Sequence, residues 1–521
     1  MKYIVVTGGV ISGVGKGTIS ASIGSLLKQR LSVTMIKIDP YFNVDAGNIS
    51  PEEHGECYVL KDGSECDLDF GTYERFLNIN LSGCHSITSG KIYKKVIENE
   101  RNGKYLGDTV QTIPHITDEI IRSIQEASKK KIGNVDPELC IIELGGTIGD
   151  IEGLPFVEAL KQLSLREENS VFFLHVALAI CNGDKNIKTK PIQTSVSDLR
   201  KLGIVPSIIM VRTNGIEIDA NTKKKISIHC AVPQNRILCN PQLGSIYMVP
   251  EYIRKQGIVD IICKDLNIDV YSNVMNPFAS YTNKKKHKIN IGIVGKYNMS
   301  VLSDNYMSLS HALEHSCYYM GVDYTITWID NFDTDLKNCD CYVIPGGFGS
   351  RGIDEKLKAI EYCYNNNIPV LGLCLGMQLM VCFYYKKLTG CLGYSEEWSN
   401  LVSNSKDSHS IIKIINGEMR RGEFECTLFN SKTRNMYGSP CVMERHRHKY
   451  AVSYQIQDLL NDSDLLVASI SEDGIIEIVE SKLNLFFVGV QFHPEFKSRI
   501  QKPHPIFNGL IESALIKKLC V

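Results

Sequence analysis

Short unbroken apolar runs recur along the chain, each ending in glycine or a polar turn, with helix-period segments between them. Tyr3–Val6 is apolar and β-branched, and Gly8 to Gly17 is glycine-rich. From Ser20 to Arg30, Ile23, Leu26 and Leu27 stand at helical spacing, and Val33–Ile38 is apolar again. Strand, loop, helix, strand in that order predicts a parallel sheet with right-handed crossovers. Leu139–Leu144, Val171–Val176 and Ser207–Val211 repeat the apolar signature. Continuous runs of this length fit strands buried on both faces.

The pattern changes near residue 270. Tyr271 to Lys288 contains Pro277, several polar residues and the run Lys284-Lys285-Lys286-His287-Lys288, and reads as a solvated linker over 271–288. A second alternating unit starts at Ile289–Gly295 and includes apolar runs at Cys341–Pro345 and Pro369–Leu373. The expected architecture is α/β, with two doubly wound domains at 1–270 and 289–521. No internal repeat or low-complexity tract interrupts them.

Composition narrows the class. The chain has 521 residues, 43% hydrophobic and 22% charged, which excludes wholesale disorder. Net charge is −1, so no global electrostatic case exists for nucleic acid or an anionic membrane. The 18 cysteines are scattered without a Cys-x-x-Cys pair, which suggests a reducing compartment and mostly buried thiols. The N-terminal apolar run is too short for a signal peptide. The longest apolar stretch, Val370 to Tyr385, is broken by Gln378 and glycines and falls short of a membrane span. A soluble cytoplasmic protein is expected.

Two places carry chemistry. Residues 8–18 read GGVISGVGKGT between a strand and a helix. Backbone N–H groups of such a loop approach phosphate oxygens, and the helix N-terminus adds partial positive charge. Lys16 would meet the terminal phosphates, with a hydroxyl from Thr18 or Ser12, although the spacing departs from the strict phosphate-loop motif. Lys37 could neutralise further phosphate charge. Asp69 and Glu143, which ends the run CIIE, are candidate magnesium ligands, since hard oxygens suit a nucleotide-bound divalent ion. By itself an aspartate in such a loop is ordinarily a turn former or cap.

In the second half, PVLGLCLGMQ sets Cys374 between Gly372 and Gly376. A tight strand-to-helix turn there would expose the sulfur at a helix N-terminus, where the dipole and a nearby histidine favour the thiolate. QFHPE supplies His493 as base and Glu495 as its orienter. PGGFGSRG supplies a backbone-rich turn whose N–H groups could stabilise an oxyanion. These three motifs on an α/β framework resemble a class I glutamine amidotransferase.

The strings GGVISGVGKG, KIDPYFNVDAG, SPEEHGE, DLDFGTYERF, YLGDTVQTIPHIT, ELGGTIGDIEGLPFVEA and KTKPIQTSV resemble the CTP synthase family over essentially the whole chain, closer to its eukaryotic members. The resemblance implies a P-loop-like synthetase domain fused to a glutamine amidotransferase domain. It implies ATP-dependent amination of UTP to CTP through a phosphorylated UTP, using ammonia released from L-glutamine. Ser12, Gly13, Gly15, Lys16, Gly17, Thr18, Lys37 and Arg212 are implied to bind ATP, and Asp69 and Glu143 to bind Mg2+. Asp150, Ile151, Glu152, Lys188, Thr189, Lys190, Gln193 and Lys225 are implied UTP contacts, and CTP as inhibitor would share the triphosphate part of that site. Gly347, Gln378, Glu397 and Lys449 are implied to meet glutamine, with Glu396 the neighbour of Glu397 in the same string. GTP is implied as allosteric activator, acting through the GEMRRGEF segment that contains Arg420, and the family assembles as homotetramers that form filaments.

This chain departs from the family pattern at three places. Ile192 replaces a threonine and loses a hydroxyl. Gln242 stands where an aspartate is expected. Lys449 replaces an arginine, a point charge in place of a bidentate fork. Two other readings remain open from the residues: a different P-loop amidotransferase acting on a carboxylate, and a polymer-forming subunit with reduced activity.

Overall fold

The computed structural model describes the chain except residues 183–185, 270–273, 280–284, 286, 296–301, 332–338, 402–407, 416 and 521. It forms two compact units: Met1–Ile49 with Asp69–Thr282, and Ser50–Leu68 with Asn283–Val521. Much of the expected linker lies outside the described residues. Of its basic run, Lys285 reaches Asp323 at 3.2 Å, and His287 and Lys288 already belong to a strand.

The first unit is built on β1 (Lys2–Gly9), α1 (Lys16–Leu27), β2 (Val33–Asp39), α2 (Asp69–Leu77), β3 (Ser86–Thr88), β4 (Leu139–Leu144), α3 (Leu154–Arg166), β5 (Val171–Leu178), α4 (Lys190–Lys201), β6 (Ile208–Thr213), α5 (Ala220–Cys230) and β7 (Ile237–Pro241). The strands form one sheet in the order β7-β6-β5-β1-β4-β2-β3. Every pairing in it is parallel. The central strands are buried along nearly their whole length, as their unbroken apolar sequence requires. Helix α1 begins four residues before the expected Ser20, directly after the glycine loop, and buries its small serines and glycines against the sheet.

The order of strands reverses direction at β1, which lies between β4 and β5. Open α/β sheets bind ligands outside the carboxyl ends of strands at such a switch point. The glycine loop leaves β1 there. Lys37 of β2 and Glu143 of β4 are register partners at the same end.

The second unit holds β8 (His287–Val294), α6 (Met307–Tyr319), β9 (Val322–Ile329), β10 (Cys341–Ile344), α7 (Ile353–Asn365), β11 (Val370–Leu373), α8 (Leu375–Thr389), β12 (Arg420–Leu428), β13 (Cys441–His448), β14 (Leu465–Ser471), β15 (Ile476–Ser481), β16 (Phe487–Val490) and α9 (Pro505–Leu519). Its sheet runs β9-β8-β10-β11-β16-β15-β14-β12-β13. The first five strands pair in parallel and the remainder are antiparallel. Apolar clusters cover both faces, one around Met377, Tyr384 and Phe487, the other around Leu313, Val488 and Phe507.

Residues Ser50–Leu68 pack with this second unit although they sit within the first sequence segment. Both carboxylate oxygens of Glu56 accept from the Ser308 backbone N–H at 3.0 Å, at the start of α6. The Tyr58 hydroxyl donates to the Phe496 carbonyl at 2.8 Å. Arg445 Nη1 donates to the Val59 carbonyl at 3.2 Å. Each partner lies hundreds of residues away, so the short helix and hairpin of this segment give no local sign of where they dock.

Candidate functional site

Four charged side chains of the first unit converge beside the glycine loop. Lys37 pairs with Asp69 and lies 3.1 Å from Glu143. Tyr73 of α2 donates to the other oxygen of Glu143. Lys16 Nζ donates to the Gly146 carbonyl at 2.7 Å. A side chain at Gly17 would place its Cβ 2.1 Å from Asp69 Oδ1, so the glycine is what lets the carboxylate reach the loop. Burial pulls Lys16 below its usual value, and the charge of Lys37 adds to that pull against nearby carboxylates. Burial, and then the neighbouring Asp69, push Glu143 up.

An anion at the loop would relieve the desolvated lysine, and a hard cation would relieve the crowded carboxylates. Asp69 and Glu143 offer oxygen donors that fit a divalent ion such as magnesium.

The remaining residues expected to bind nucleotide lie on loops, helices and a strand of the same unit. Ser12 and Gly13 are exposed on the loop, and Thr18 is half-buried in the first turn of α1. Asp150, Ile151 and Glu152 follow β4 and are exposed; Asp150 Oδ2 accepts from the Thr147 N–H at 3.0 Å. Lys188 and Lys190 are exposed on either side of buried Thr189, whose hydroxyl accepts from Gln193 Nε2 at 3.0 Å. Lys225 is exposed on α5. Arg212 is the next-to-last residue of β6 and donates to the Pro241 carbonyl at 3.0 Å, with burial lowering its pKa. Gln242 is exposed, and its backbone N–H is tied to the Thr213 carbonyl.

Ile192, where the family pattern has a threonine, turns inward. Its side chain is fully buried in a cluster with Ala177, Val196 and Val211. The position faces the core of the unit, so the missing hydroxyl is not a missing contact at the surface where Lys188 and Lys190 lie.

His175 was not legible as a site residue. It is buried on β5 between the Thr7 hydroxyl at 2.9 Å and the Ser195 hydroxyl at 2.6 Å. Burial, aided by the charge of Lys16, lowers its pKa to about 3, so it is neutral and joins β1 to α4 as a hydrogen-bonding strut. The one available signal was a polar residue inside VFFLHVAL.

The second unit holds the thiol. Cys374 takes φ 49° and ψ −102°, a strained conformation for a residue with a side chain, between β11 and α8. A Cβ on Gly376 would come 2.0 Å from the Ile344 carbonyl oxygen, so only glycine lets α8 start this close to β10. The sulfur is more enclosed than the sequence suggested: Cys374 is 7% exposed, and it lines a cavity of about 100 Å³. Gly346, Gly347, Arg447 and His493 line the same cavity.

His493 Nδ1 lies 2.7 Å from Glu495 Oε1. Burial disfavours the imidazolium, but the Glu495 carboxylate and the Cys374 sulfur outweigh it and push the His493 pKa up to about 10. Gly349 N–H donates to Glu397 Oε1 at 2.6 Å, whereas Glu396 accepts from the Ile414 N–H at 2.9 Å. Of the two neighbours, Glu397 is therefore the one turned to the PGGFGSRG turn. Gln378 is buried one turn into α8. Lys449 is half-buried, immediately after β13.

Arg447 and Gln491 belong to this site and were not singled out beforehand. Arg447 holds its guanidinium 5.1 Å from the Phe348 ring centre, and its carbonyl is 4.0 Å from the Cys374 sulfur. Their only sequence signal was membership of the strings ERHRHKY and QFHPE.

A parallel α/β unit with a glycine loop, in one chain with a cysteine–histidine–glutamate unit, is the makeup of a glutamine-dependent ligase. Residues 2–268 match the CTP synthase N-terminus family, and residues 301–513 match the glutamine amidotransferase class-I family. The chain is 41% identical to the CTP synthase of Sulfurisphaera tokodaii and 42% identical to that of Saccharolobus solfataricus. Each alignment covers 98% of this chain and 99% of the relative. Among solved structures, the glutaminase domain of Trypanosoma brucei CTPS with bound acivicin is 29% identical, with a TM-score of 0.40, covering 44% of this chain and 94% of that one. The chain belongs to the CTP synthase family. No helix among the described residues is long and apolar enough to cross a membrane.

Proposed function

We propose that the two units divide the synthesis of CTP, the second releasing ammonia from glutamine and the first activating UTP with ATP. The observation that carries this reading is Cys374 at a strained strand-to-helix turn, in one cavity with a His493 whose Nδ1 is held by Glu495.

In the glutaminase half, Cys374 Sγ bonds to the side-chain carboxamide carbon of glutamine. N–H groups of the turn at Gly346 and Gly347 receive the oxyanion. His493 gives its proton to the departing ammonia as the carbon–nitrogen bond breaks. Water then attacks the thioester, glutamate leaves, and the electron pair returns to sulfur. Glu397, Gln378 and Lys449 orient the amino acid.

In the synthetase half, uracil O4 attacks the γ-phosphorus of ATP as the bond to the β-phosphate oxygen breaks and ADP leaves, and ammonia then adds at C4 and expels inorganic phosphate as the C4–O bond breaks. Ser12, Gly13, Gly15, Lys16, Gly17, Thr18, Lys37 and Arg212 hold ATP. Asp69 and Glu143 would hold Mg2+, and a bound ion would supply positive charge to the transferring phosphoryl group. Asp150, Ile151, Glu152, Lys188, Thr189, Lys190, Gln193 and Lys225 bind UTP, and CTP inhibits by occupying the triphosphate part of that site. GTP activates glutamine hydrolysis. The enzyme works as a homotetramer in the cytoplasm and forms filaments.

The test compares nitrogen donors. The unsubstituted chain forms CTP from UTP and ATP with either glutamine or ammonia. Cys374→Ala loses the glutamine-dependent reaction and keeps the ammonia-dependent one. Absence of CTP from the unsubstituted chain with both donors would overturn the reading.

A further inference from the structure

The Cys374 sulfur has a polar neighbour that the nucleophile, base and orienter do not include. Gln491 Nε2 lies 3.5 Å from it. Gln491 is fully buried, and its backbone N–H is anchored to the Glu477 carbonyl at 2.8 Å. A buried amide beside a reacting atom has two orientations with opposite consequences: nitrogen toward sulfur donates, oxygen toward sulfur repels a thiolate.

The surrounding network decides between them. Gln378 Nε2 is 2.9 Å from the Tyr450 carbonyl oxygen. A carbonyl only accepts, so Gln378 must present its NH2 there. The same nitrogen is 3.2 Å from Gln491 Oε1, which accepts its second hydrogen. Gln491 must then turn its own NH2 to the sulfur. The chain of donors runs Gln378 to Gln491 to Cys374, and its far end is fixed by a backbone atom that cannot flip.

We propose that Gln491 is a catalytic hydrogen-bond donor to the Cys374 thiolate, and that Gln378 is the positioning residue that orients it. Sulfur carries negative charge twice in the glutaminase reaction: before it attacks the carboxamide, and again when water has added to the thioester and the carbon–sulfur bond breaks. At both moments the N–H of Gln491 meets the electron pair on sulfur. Hydrogen bonds to an ionised partner are roughly twice as strong as neutral ones. The other ionisable groups lining the cavity are Glu56, Cys57, Tyr306, Arg447, His493 and Glu495, none of which carries an amide to offer the sulfur. Gln378 spends both hydrogens within the protein, which leaves only its oxygen for a substrate.

The experiment compares the full chain with Gln491→Met and Gln491→Glu. Glutamate keeps the acceptor for Gln378 and removes the donor. Methionine is neutral, so an effect that both share is not charge repulsion. Labelling of Cys374 by iodoacetamide, followed on its own peptide by mass spectrometry over a pH series, is expected to slow about tenfold near neutrality and to shift its midpoint about one pH unit upward in both variants. Glutaminase kcat falls by a similar factor with little change in KM for glutamine, while ammonia-dependent CTP formation persists. Labelling profiles that superpose on that of the unsubstituted chain overturn the proposal. If neither variant keeps the ammonia-dependent reaction, Gln378→Ala must show the same labelling shift, and normal labelling there overturns it equally. The proposal rests on Cys374 as the nucleophile; that reading fails by a separate result, glutamine hydrolysis by Cys374→Ala.

Discussion

Arg447 Nε donates to Glu65 Oε1 at 2.8 Å, across 382 residues of chain. The other oxygen of Glu65 accepts from Arg421 Nη1 at 2.6 Å. Glu65 is buried, so it holds the arginine that walls the thiol cavity with little competition from water. Glu65→Gln weakens both pairs and frees the guanidinium over Phe348. Glutamine-dependent kcat/KM is expected to fall about tenfold, a loss on the order of 1.4 kcal/mol, with ammonia-dependent synthesis nearly unchanged. Steady-state kinetics with the two nitrogen donors checks this, and an equal loss with both would refute it.

His493 makes stability depend on pH. Burial opposes its cation, yet Glu495 and Cys374 raise its pKa from 6.5 to about 10. A group whose folded value is raised stabilises fully below its unfolded value and loses that contribution as pH rises through the folded one. The pair therefore contributes fully below about 6.5 and fades toward 10. Glu495→Gln should unfold at lower urea concentration than the unsubstituted chain near neutrality. The gap should close as pH passes 10. A gap that is constant across the pH series would show that the imidazolium is not its source.

Lys37 lies among three carboxylates, Asp39, Asp69 and the fully enclosed Glu143. Breaking a buried ion pair from one side leaves a charge without compensation and costs about 3 kcal/mol or more. Lys37→Met is expected to lower the unfolding free energy by about that amount in magnesium-free buffer. Denaturant titration measures it, and an unchanged midpoint and slope would mean that Glu143 does not depend on the lysine.

Ile192→Thr would restore the residue common in the family. Because the side chain is buried among Ala177, Val196 and Val211, the change exchanges packed methyl groups for a hydroxyl. A loss of about 1–2 kcal/mol is expected, with the KM for UTP within about twofold of the parent. A clear drop in that KM would place the position at the nucleotide.

The strands and the glycine loop were legible because their signals are local. Tyr3–Val6 and Leu139–Ile142 are unbroken apolar runs, the pattern of interior parallel strands. Helix α4 shows what the motif alone left open at position 192. Lys190 and Gln193 are polar neighbours of Ile192, but Ile192, Val196 and Leu199 follow the helix period and turn to the core together. The helix period, not the motif, fixes which way the residue turns. The Cys374, His493 and Glu495 constellation was legible as motifs, whereas the Gln491 amide beside the sulfur was not. Its role depends on which way a symmetric-looking side chain faces.

By itself the sequence determined the alternation of strands and helices, the phosphate-type loop and the residue types of the thiol site. Those follow from hydrophobic period, glycine placement and short motifs, all set within a few residues. Tertiary structure alone decided that Ser50–Leu68 packs with the second unit, that Lys37 lies among carboxylates, and that Gln491 gives its N–H to sulfur. These depend on partners brought together from distant parts of the chain. A buried polar group takes whichever partner the fold supplies, and its own sequence neighbourhood does not name that partner.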